Sequence, residues 1–318
     1  MRVAIVGGTG FVGSYLIDEL SHLGHSITLL VRPGSEIKIK DSNKVEMVTG
    51  DILDIESIRR LLQKCDAVIY NVGILREVPS KGISFEKTQY LGLVNTVDIA
   101  LEVGVKRLLL MSANGVKIPG TKYQETKRRA EEYALESELD VTVIRPSAIF
   151  GDPRGLMEFA SQLFNQIVRI PIPATNFLLG SDSKRTSVEM SPVHINDVVQ
   201  VFANVLERKD FFGKIITLGG PEILTWREII TRIAAASGRH KLFLPMPIQL
   251  MKIAATFLDW LPFFPVTRGQ LIMMQEGNTA DPKEMEEIIG KKATPLSNES
   301  LSYIKKKKLK KNFLFSIF

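Results

Sequence analysis

The chain has a single cysteine, Cys65, in 318 residues. One thiol excludes an internal disulfide framework and any zinc cluster built on several thiolates, and a reducing compartment fits it. Beside Asp66, Cys65 reads as a small buried residue rather than a nucleophile. Histidine is scarce too, and four residues without paired metal spacing give no metal site. No apolar run reaches the roughly 18 residues that suggest a membrane span. The chain opens directly in a strand pattern, so no secretory signal is expected. The body also lacks net charge. Lys305, Lys306, Lys307, Lys308, Lys310 and Lys311 follow Ile304 with no acid among them, and they account for the whole formal charge of +6. The rest is formally neutral and gives no basis for a nucleic-acid partner.

What is present is an ordinary globular composition, 45% hydrophobic and 24% charged, in a chain long enough for one large or two joined domains. It is organised around its first thirteen residues. Residues 2–6 form a β-branched apolar run suited to a parallel strand buried on both faces. Gly7, Gly10 and Gly13 follow at once. Gly7 permits a tight turn, Gly10 lets backbone approach a pyrophosphate, and Gly13 lets the helix from about Phe11 to Leu23 pack on the strand. Phosphates would then meet a helix N-terminus, where N–H groups and the positive dipole end favour an anion. Strand, glycines, amphipathic helix and second strand come in the order a dinucleotide fold requires.

The second strand, Ser26 to Val31, ends at Arg32-Pro33-Gly34. An acid there would suit the 2′-hydroxyl of NAD, whereas arginine suits the 2′-phosphate of NADP; a solvated arginine before a turn is the plain alternative. After a third strand, Val45 to Val48, Asp51 with Ile52 is placed to reach the adenine, and Asp54 is a candidate N-cap for the helix Ile55 to Gln63. A fourth strand, Ala67 to Tyr70, runs into Asn71-Val72-Gly73, where glycine lets a cofactor lie close. Phe85 to Val103 reads as one long helix, Val105 to Met111 as a fifth strand, and Val141 to Ile144 as a sixth leading to Arg145-Pro146-Ser147. Six strands largely alternating with helices give a doubly wound α/β fold.

The candidate chemistry lies between the last two strands. Tyr123 and Lys127 are four apart, so on a helix they share a face. A lysine ammonium beside a phenol favours the phenolate and lowers its pKa. Tyr123 is the candidate acid/base, Lys127 its tuner and a ribose ligand, and Ser112 the hydroxyl that orients a substrate oxygen. Lys127 beside Arg128 and Arg129 also fits a merely solvated face.

At this point the sequence resembles the short-chain dehydrogenase/reductase superfamily in its extended or atypical branch. The residues carrying this are Gly7-Gly-Thr9-Gly10-Phe11-Val12-Gly13, Gly50-Asp51, Asn71 to Gly73, Ser112, Tyr123 with Lys127, Arg145-Pro146-Ser147 with Phe150-Gly151, and Val193 to Asp197, across about two thirds of the chain. The pattern is most similar to bacterial relatives of the NAD(P)-binding accessory subunit of respiratory complex I. The resemblance implies a bound NADP(H), preferred over NAD(H), whose role is structural, with cofactor contacts from Gly7, Thr9, Gly10, Phe11, Val12, Gly13, Arg32, Asp51, Ile52, Asn71, Gly73, Lys127 and Pro146. It departs from the extended pattern at Gln89, where asparagine usually helps hold the lysine, and this puts turnover rather than cofactor binding in question.

The nucleotide domain is expected over residues 1–151 and about 186–223, a smaller α/β substrate or interaction domain over about 152–185 and 224–300, and a basic-apolar tail over 301–318. His194 and Asp197 read as a satisfied histidine and a helix cap. Between Pro247 and Leu261 the polar residues Gln249, Lys252, Thr256 and Asp259 form one narrow stripe on an otherwise apolar helix. Such a helix is either core or the contact for a hydrophobic partner or membrane interface, a boundary that Trp260, Phe263 and Phe264 suit. The lysine tail ends in Phe313-Leu314-Phe315-Ser316-Ile317-Phe318, which suits peripheral membrane contact at a cytoplasmic, inner-membrane face; a solubilising tail is the alternative for the lysines. The expected partners are a nicotinamide dinucleotide and a membrane-associated complex or membrane surface. The rival functions are an active oxidoreductase or epimerase using Ser112, Tyr123 and Lys127, and a redox-sensing regulator.

Overall fold

The structure, a computed structural model, describes residues 1–35, 45–179, 187–258 and 267–306. It divides into two compact units, Met1–Pro146 with Ile195–Leu218 and Lys283–Lys291, and Ser147–His194 with Gly219–Pro282 and Lys292–Phe318.

The first unit is a wholly parallel seven-stranded sheet with helices between its strands. Its elements are β1 (Arg2–Val6), α1 (Phe11–His22), β2 (Ser26–Val31), β3 (Val45–Thr49), α2 (Ile55–Leu62), β4 (Ala67–Tyr70), α3 (Gly92–Val103), β5 (Arg107–Met111), α4 (Lys122–Glu136), β6 (Asp140–Pro146), α6 (Ile195–Val205), β11 (Lys214–Leu218) and α10 (Lys283–Ile289). The strand order is β11-β6-β5-β4-β1-β2-β3. Direction of winding therefore reverses between β1 and β4, where an open α/β sheet leaves a crevice at the carboxyl ends of its strands. The apolar runs of β1, β4 and β5 are buried throughout because helices cover both faces.

Two features of this unit come from long-range contacts. The expected helix from Phe85 is a π-helical turn, Glu86–Leu91, running into α3. Tyr70 Oη donates to Thr88 O at 2.7 Å, and a Cβ on Gly92 would stand 2.5 Å from that hydroxyl, so the glycine makes room for the buried phenol. Arg107, buried at the start of β5, donates to Leu206 O at 2.8 Å, Val205 O at 2.7 Å and Asp140 O at 2.7 Å. It satisfies the carbonyl of Leu206, just past the end of α6, and shares that of Val205 with Arg208 N. Burial pulls its guanidinium down to about 10. Asp197, expected as a cap, is fully buried with its carboxylate 3.1 Å from Lys291 Nζ.

The second unit holds β7 (Ile149–Phe150), α5 (Phe159–Leu163), β8 (Ala174–Leu178), β9 (Glu189–Met190), β10 (Val193–His194), β12 (Leu224–Thr225), α7 (Trp226–Ala236), β13 (Phe243–Pro247), α8 (Ile248–Leu258), α9 (Arg268–Glu276) and α11 (Ser302–Lys306). Its strands pair two by two, β7 with β10, β9 with β12 and β8 with β13. Phe150, Phe164, Phe177, Trp226, Ile229, Ile233, Leu271 and Tyr303 fill the core. Thr225 and Glu228 close a capping box at the start of α7. The buried Glu158 accepts from Ala160 N at 2.6 Å and Ser161 N at 2.5 Å at the start of α5, with Tyr303 Oη at 3.3 Å, and burial pushes its carboxyl up.

The polar stripe of α8 does not simply face water. Lys252 is engaged by Gln275 of α9, Ile248 and Ala255 are buried, and Leu250 and Ile253 face outward. Asp259, Trp260, Phe263, Phe264, Arg185 and the tail from Lys307 lie outside the described residues. Among the described residues no helix is long and apolar enough to cross a membrane.

Candidate dinucleotide site

The turn after β1 treats its three glycines differently. Gly7 has φ +92°, and a Cβ on it would stand 2.6 Å from Asn71 O. A Cβ on Gly13 would overlap Gly7 O and come within 2.6 Å of Gly8 Cα. Neither position accepts a side chain in the folded chain. Gly10 meets only Gly7 O, at 3.4 Å, which is ordinary contact. The protein alone therefore has no steric need for glycine there; a ligand pressed against the backbone has.

Gly10 is the N-cap of α1, with no side-chain cap and no acid in the helix's first turn. The N–H groups of that turn are thus offered to an anion. Thr9, Phe11 and Val12 are half-buried around it, Phe11 held edge-on by Tyr15 at 5.7 Å.

Register brings the other candidates to the same sheet edge. Val6 pairs with Leu30 and with Tyr70, so Arg32 and Asn71 emerge beside the turn from the flanking strands. Arg32 is exposed. Asn71 Nδ2 reaches Gly7 O at 3.5 Å. One strand further out, Gly50 N donates to Val31 O at 2.9 Å, and the exposed Asp51 follows, its carboxylate accepting from Leu53 N at 2.9 Å. Asn95 Nδ2 holds Ile52 O at 3.2 Å. Asp54 is an N-cap, accepting from Glu56 N at 3.2 Å. On the other side, Ser112 N donates to Ile144 O at 2.8 Å and Asn114 N to Pro146 O at 2.9 Å.

Lys127 is buried, and its Nζ donates to Met111 O at 3.0 Å. A Cβ on Gly73 would lie 3.5 Å from that Nζ, so the glycine keeps the amine open towards the loop after β4. Burial draws the amine down to about 8, with Glu131 one turn on opposing. Glu131 is itself held by Arg145, whose Nε lies 2.8 Å away. Ser112 is 5% exposed, and its Oγ has no hydrogen-bond partner among the described residues. A buried orphan hydroxyl is costly unless a ligand completes it.

Tyr123 corrects an expectation. Lys127 was expected to draw the phenol down, but burial alone pushes it up to about 12, and the amine is directed to a backbone carbonyl. The ring of Tyr123 packs edge-on against Phe85 at 5.7 Å. Gln89 is buried in the π-helical turn, donating to Ile74 O at 3.0 Å and accepting from Thr126 Oγ1 at 3.0 Å. It ties the Gly73–Ile74 loop to the helix of Lys127, a link the sequence pattern did not announce.

A parallel sheet with a switch point, a glycine cradle at a helix N-terminus and a clear approach beside Lys127 define a dinucleotide-binding Rossmann protein. The chain belongs to the NAD(P)H-binding family, whose model matches residues 7–166. It is 25% identical over 273 residues to divinyl chlorophyllide a 8-vinyl-reductase of Oryza sativa subsp. indica, covering 81% of this chain and 64% of that protein. It is 24% identical over 267 residues to the mitochondrial NADH-ubiquinone oxidoreductase 40 kDa subunit of Neurospora crassa, covering 82% and 67%. The chain thus spans about two thirds of the length of these curated relatives. Its fold matches UDP-glucuronic acid 4-epimerase from Bacillus cereus, solved with UDP-glucuronic acid and NAD, with TM-score 0.70 at 18% identity over 96% of this chain and 99% of that one.

Proposed function

We propose that the chain is an NADP(H)-binding protein of the complex I accessory-subunit type, with the nucleotide as a structural element. It would act at the periphery of a membrane, on the cytoplasmic face, with a membrane-associated complex or the membrane surface as partner. One observation carries this reading: the dinucleotide cradle is complete while the proton-transfer pair is untuned. Burial pushes the Tyr123 phenol up to about 12, and Lys127 Nζ donates to Met111 O with further donors left open towards the Gly73 loop. The first unit would hold the nucleotide through Gly7, Thr9, Gly10, Phe11, Val12, Gly13, Asp51, Ile52, Asn71, Gly73, Lys127 and Pro146, and a bound nucleotide stabilises the state that binds it. Arg32, exposed at the end of β2, supports NADP over NAD. The likeness to the Neurospora subunit supports the accessory role.

The orphan Oγ of Ser112 favours a second reading, an oxidoreductase or epimerase acting on a carbonyl, quinone-like or sugar-nucleotide substrate. The nicotinamide would supply the hydride chemistry. Ser112 would orient a substrate oxygen, Tyr123 would move its proton, and Lys127 would hold the ribose.

The two readings part on NADPH retention and turnover by the purified protein and Tyr123→Phe, with and without membranes. The accessory reading expects NADPH to survive purification, resist a panel of aldehydes, ketones, quinones and sugar nucleotides, and sediment with membranes. A substrate that discharges it, with Tyr123→Phe stopping the discharge, would overturn that reading and establish an enzyme.

A further inference from the structure

The second unit carries an apolar surface that its own fold leaves bare. Leu242 is 78% exposed, Ile172 63%, and Leu244, Leu250 and Ile253 each 58%. Strand pairing connects them. Ala174 N donates to Leu242 O at 2.7 Å and Lys241 Nζ reaches Ile170 O, so Ile172, Leu242 and Leu244 lie at one end of the β8–β13 pair. At the other end Leu178, itself exposed, pairs with Pro247, the residue before α8. From there Leu250 and Ile253, three apart on one side of α8, extend the surface. A water-facing helix would put polar groups there.

The segments that build this face carry cations and no acid among the described residues, although Glu228 and Glu276 stand on the neighbouring α7 and α9. Residues 169–179 and 239–258 contain Arg169, Arg239, Lys241 and Lys252 and neither aspartate nor glutamate. The exposed Arg227 lies over the ring of Phe243 at 5.2 Å. Glu222 is paired with Arg232, whereas Glu228 caps α7 through Thr225 and keeps its charge beside Arg227. An apolar face edged by cations matches a bilayer interface containing anionic lipid, with leucines at the acyl boundary and cations among the headgroups. A second copy of the chain fits worse, because a self-contact would bring two cationic edges together.

We propose that the β8–β13–α8 face docks on a bilayer surface that contains anionic phospholipid. This rests on the peripheral-membrane part of the reading above and is independent of the nucleotide's role.

The test is co-sedimentation of the full chain, with NADPH, on vesicles of phosphatidylcholine alone and of phosphatidylcholine with about one quarter phosphatidylglycerol. The comparison protein carries Leu242→Gln, Leu244→Thr, Leu250→Gln and Ile253→Gln. Its melting temperature and NADPH binding, measured without vesicles, are expected to match wild type because all four side chains point outward. Wild type is expected to pellet with the anionic vesicles, less so at high salt, and the variant to bind about a hundredfold more weakly. If both pellet equally, the protein is peripheral through another segment and this face is wrong. If wild type pellets with no vesicle, the docking face and the peripheral reading fall together, while NADPH retention still reports on the nucleotide reading. If the variant instead abolishes a wild-type dimer in the absence of lipid, the face belongs to a second copy and the proposal is overturned.

Discussion

The two units leave opposite things unfinished. In the first, the loose ends are polar and inside: the Ser112 hydroxyl without a partner, the Lys127 amine drawn down to about 8, the Tyr123 phenol pushed up. Its exposed large apolar residues are spread over connections, such as Leu23, Leu53, Leu75 and Ile118, and over positions of β3, α2 and α3 at Met47, Ile55 and Leu101. In the second, Glu158 is satisfied by two backbone N–H groups and Tyr303, Asn165 Oδ1 is the buried side-chain atom left without a partner among the described residues, and the larger loose ends are apolar and outside, on β13 and α8. Buried polar groups are completed by a small ligand, whereas a bare apolar face is completed by a surface. This contrast underlies the two proposals, a nucleotide held by the first unit and a bilayer surface against the second.

The largest effect that would break this comparison is expected at Gly13. Gly13→Ala forces a Cβ into the Gly7–Gly8 backbone and should cost about 3 kcal/mol or more, with loss of nucleotide, as read by denaturant unfolding and NADPH titration. Arg107→Met should follow at about 2 kcal/mol, because it strands the carbonyl of Leu206 and removes the bonds to Val205 and Asp140. In the second unit Leu250→Gln should move stability by no more than about 0.5 kcal/mol, since that side chain is already in water. A large loss there would mean that α8 is core and would erase the contrast.

Lys127 sharpens the comparison through pH. Its folded pKa, about 8, lies below its ordinary 10.5, so between these values the unfolded chain holds a proton that the folded chain lacks. Unfolding free energy from this group therefore rises with pH across that window, and the full cost of a charged buried amine applies below it. In the nucleotide-free protein, the stability of wild type minus that of Lys127→Met should climb as pH rises from about 8 towards 10.5, by on the order of 3 kcal/mol in all. A flat difference would mean that the amine is solvated. The smallest expected effect is at Tyr123→Phe: unchanged NADPH affinity and a melting point shifted by the equivalent of less than about 0.5 kcal/mol, since burial, not a charged partner, governs the phenol.

The fold was legible where local chemistry decides. The apolar run of residues 2–6 and the glycine spacing define the first strand and turn, and Asp54 does cap the helix that follows it. The motif positions separate Gly10 from Gly13, and what each Cβ would strike agrees, backbone at Gly13 and only ordinary contact at Gly10. Arg107 and the Tyr70–Gly92 fit were missed because their partners lie far along the chain. The bond from Lys127 to Met111 O was not legible, because a backbone carbonyl leaves no mark in a sequence. For α8 the sequence left core and surface contact open, and the structure divides the helix between them, with Ile248 and Ala255 buried and Leu250 and Ile253 facing outward.

The most direct test of the central claim is calorimetric titration of NADPH and NADH into wild type and Gly10→Ala, with the melting temperature of each nucleotide-free protein measured alongside. The added Cβ meets only ordinary contact at 3.4 Å, so Gly10→Ala should melt with wild type yet lose NADPH, and wild type should bind NADPH more tightly than NADH. Gly10→Ala binding NADPH as wild type does would contradict a dinucleotide pressed against this turn.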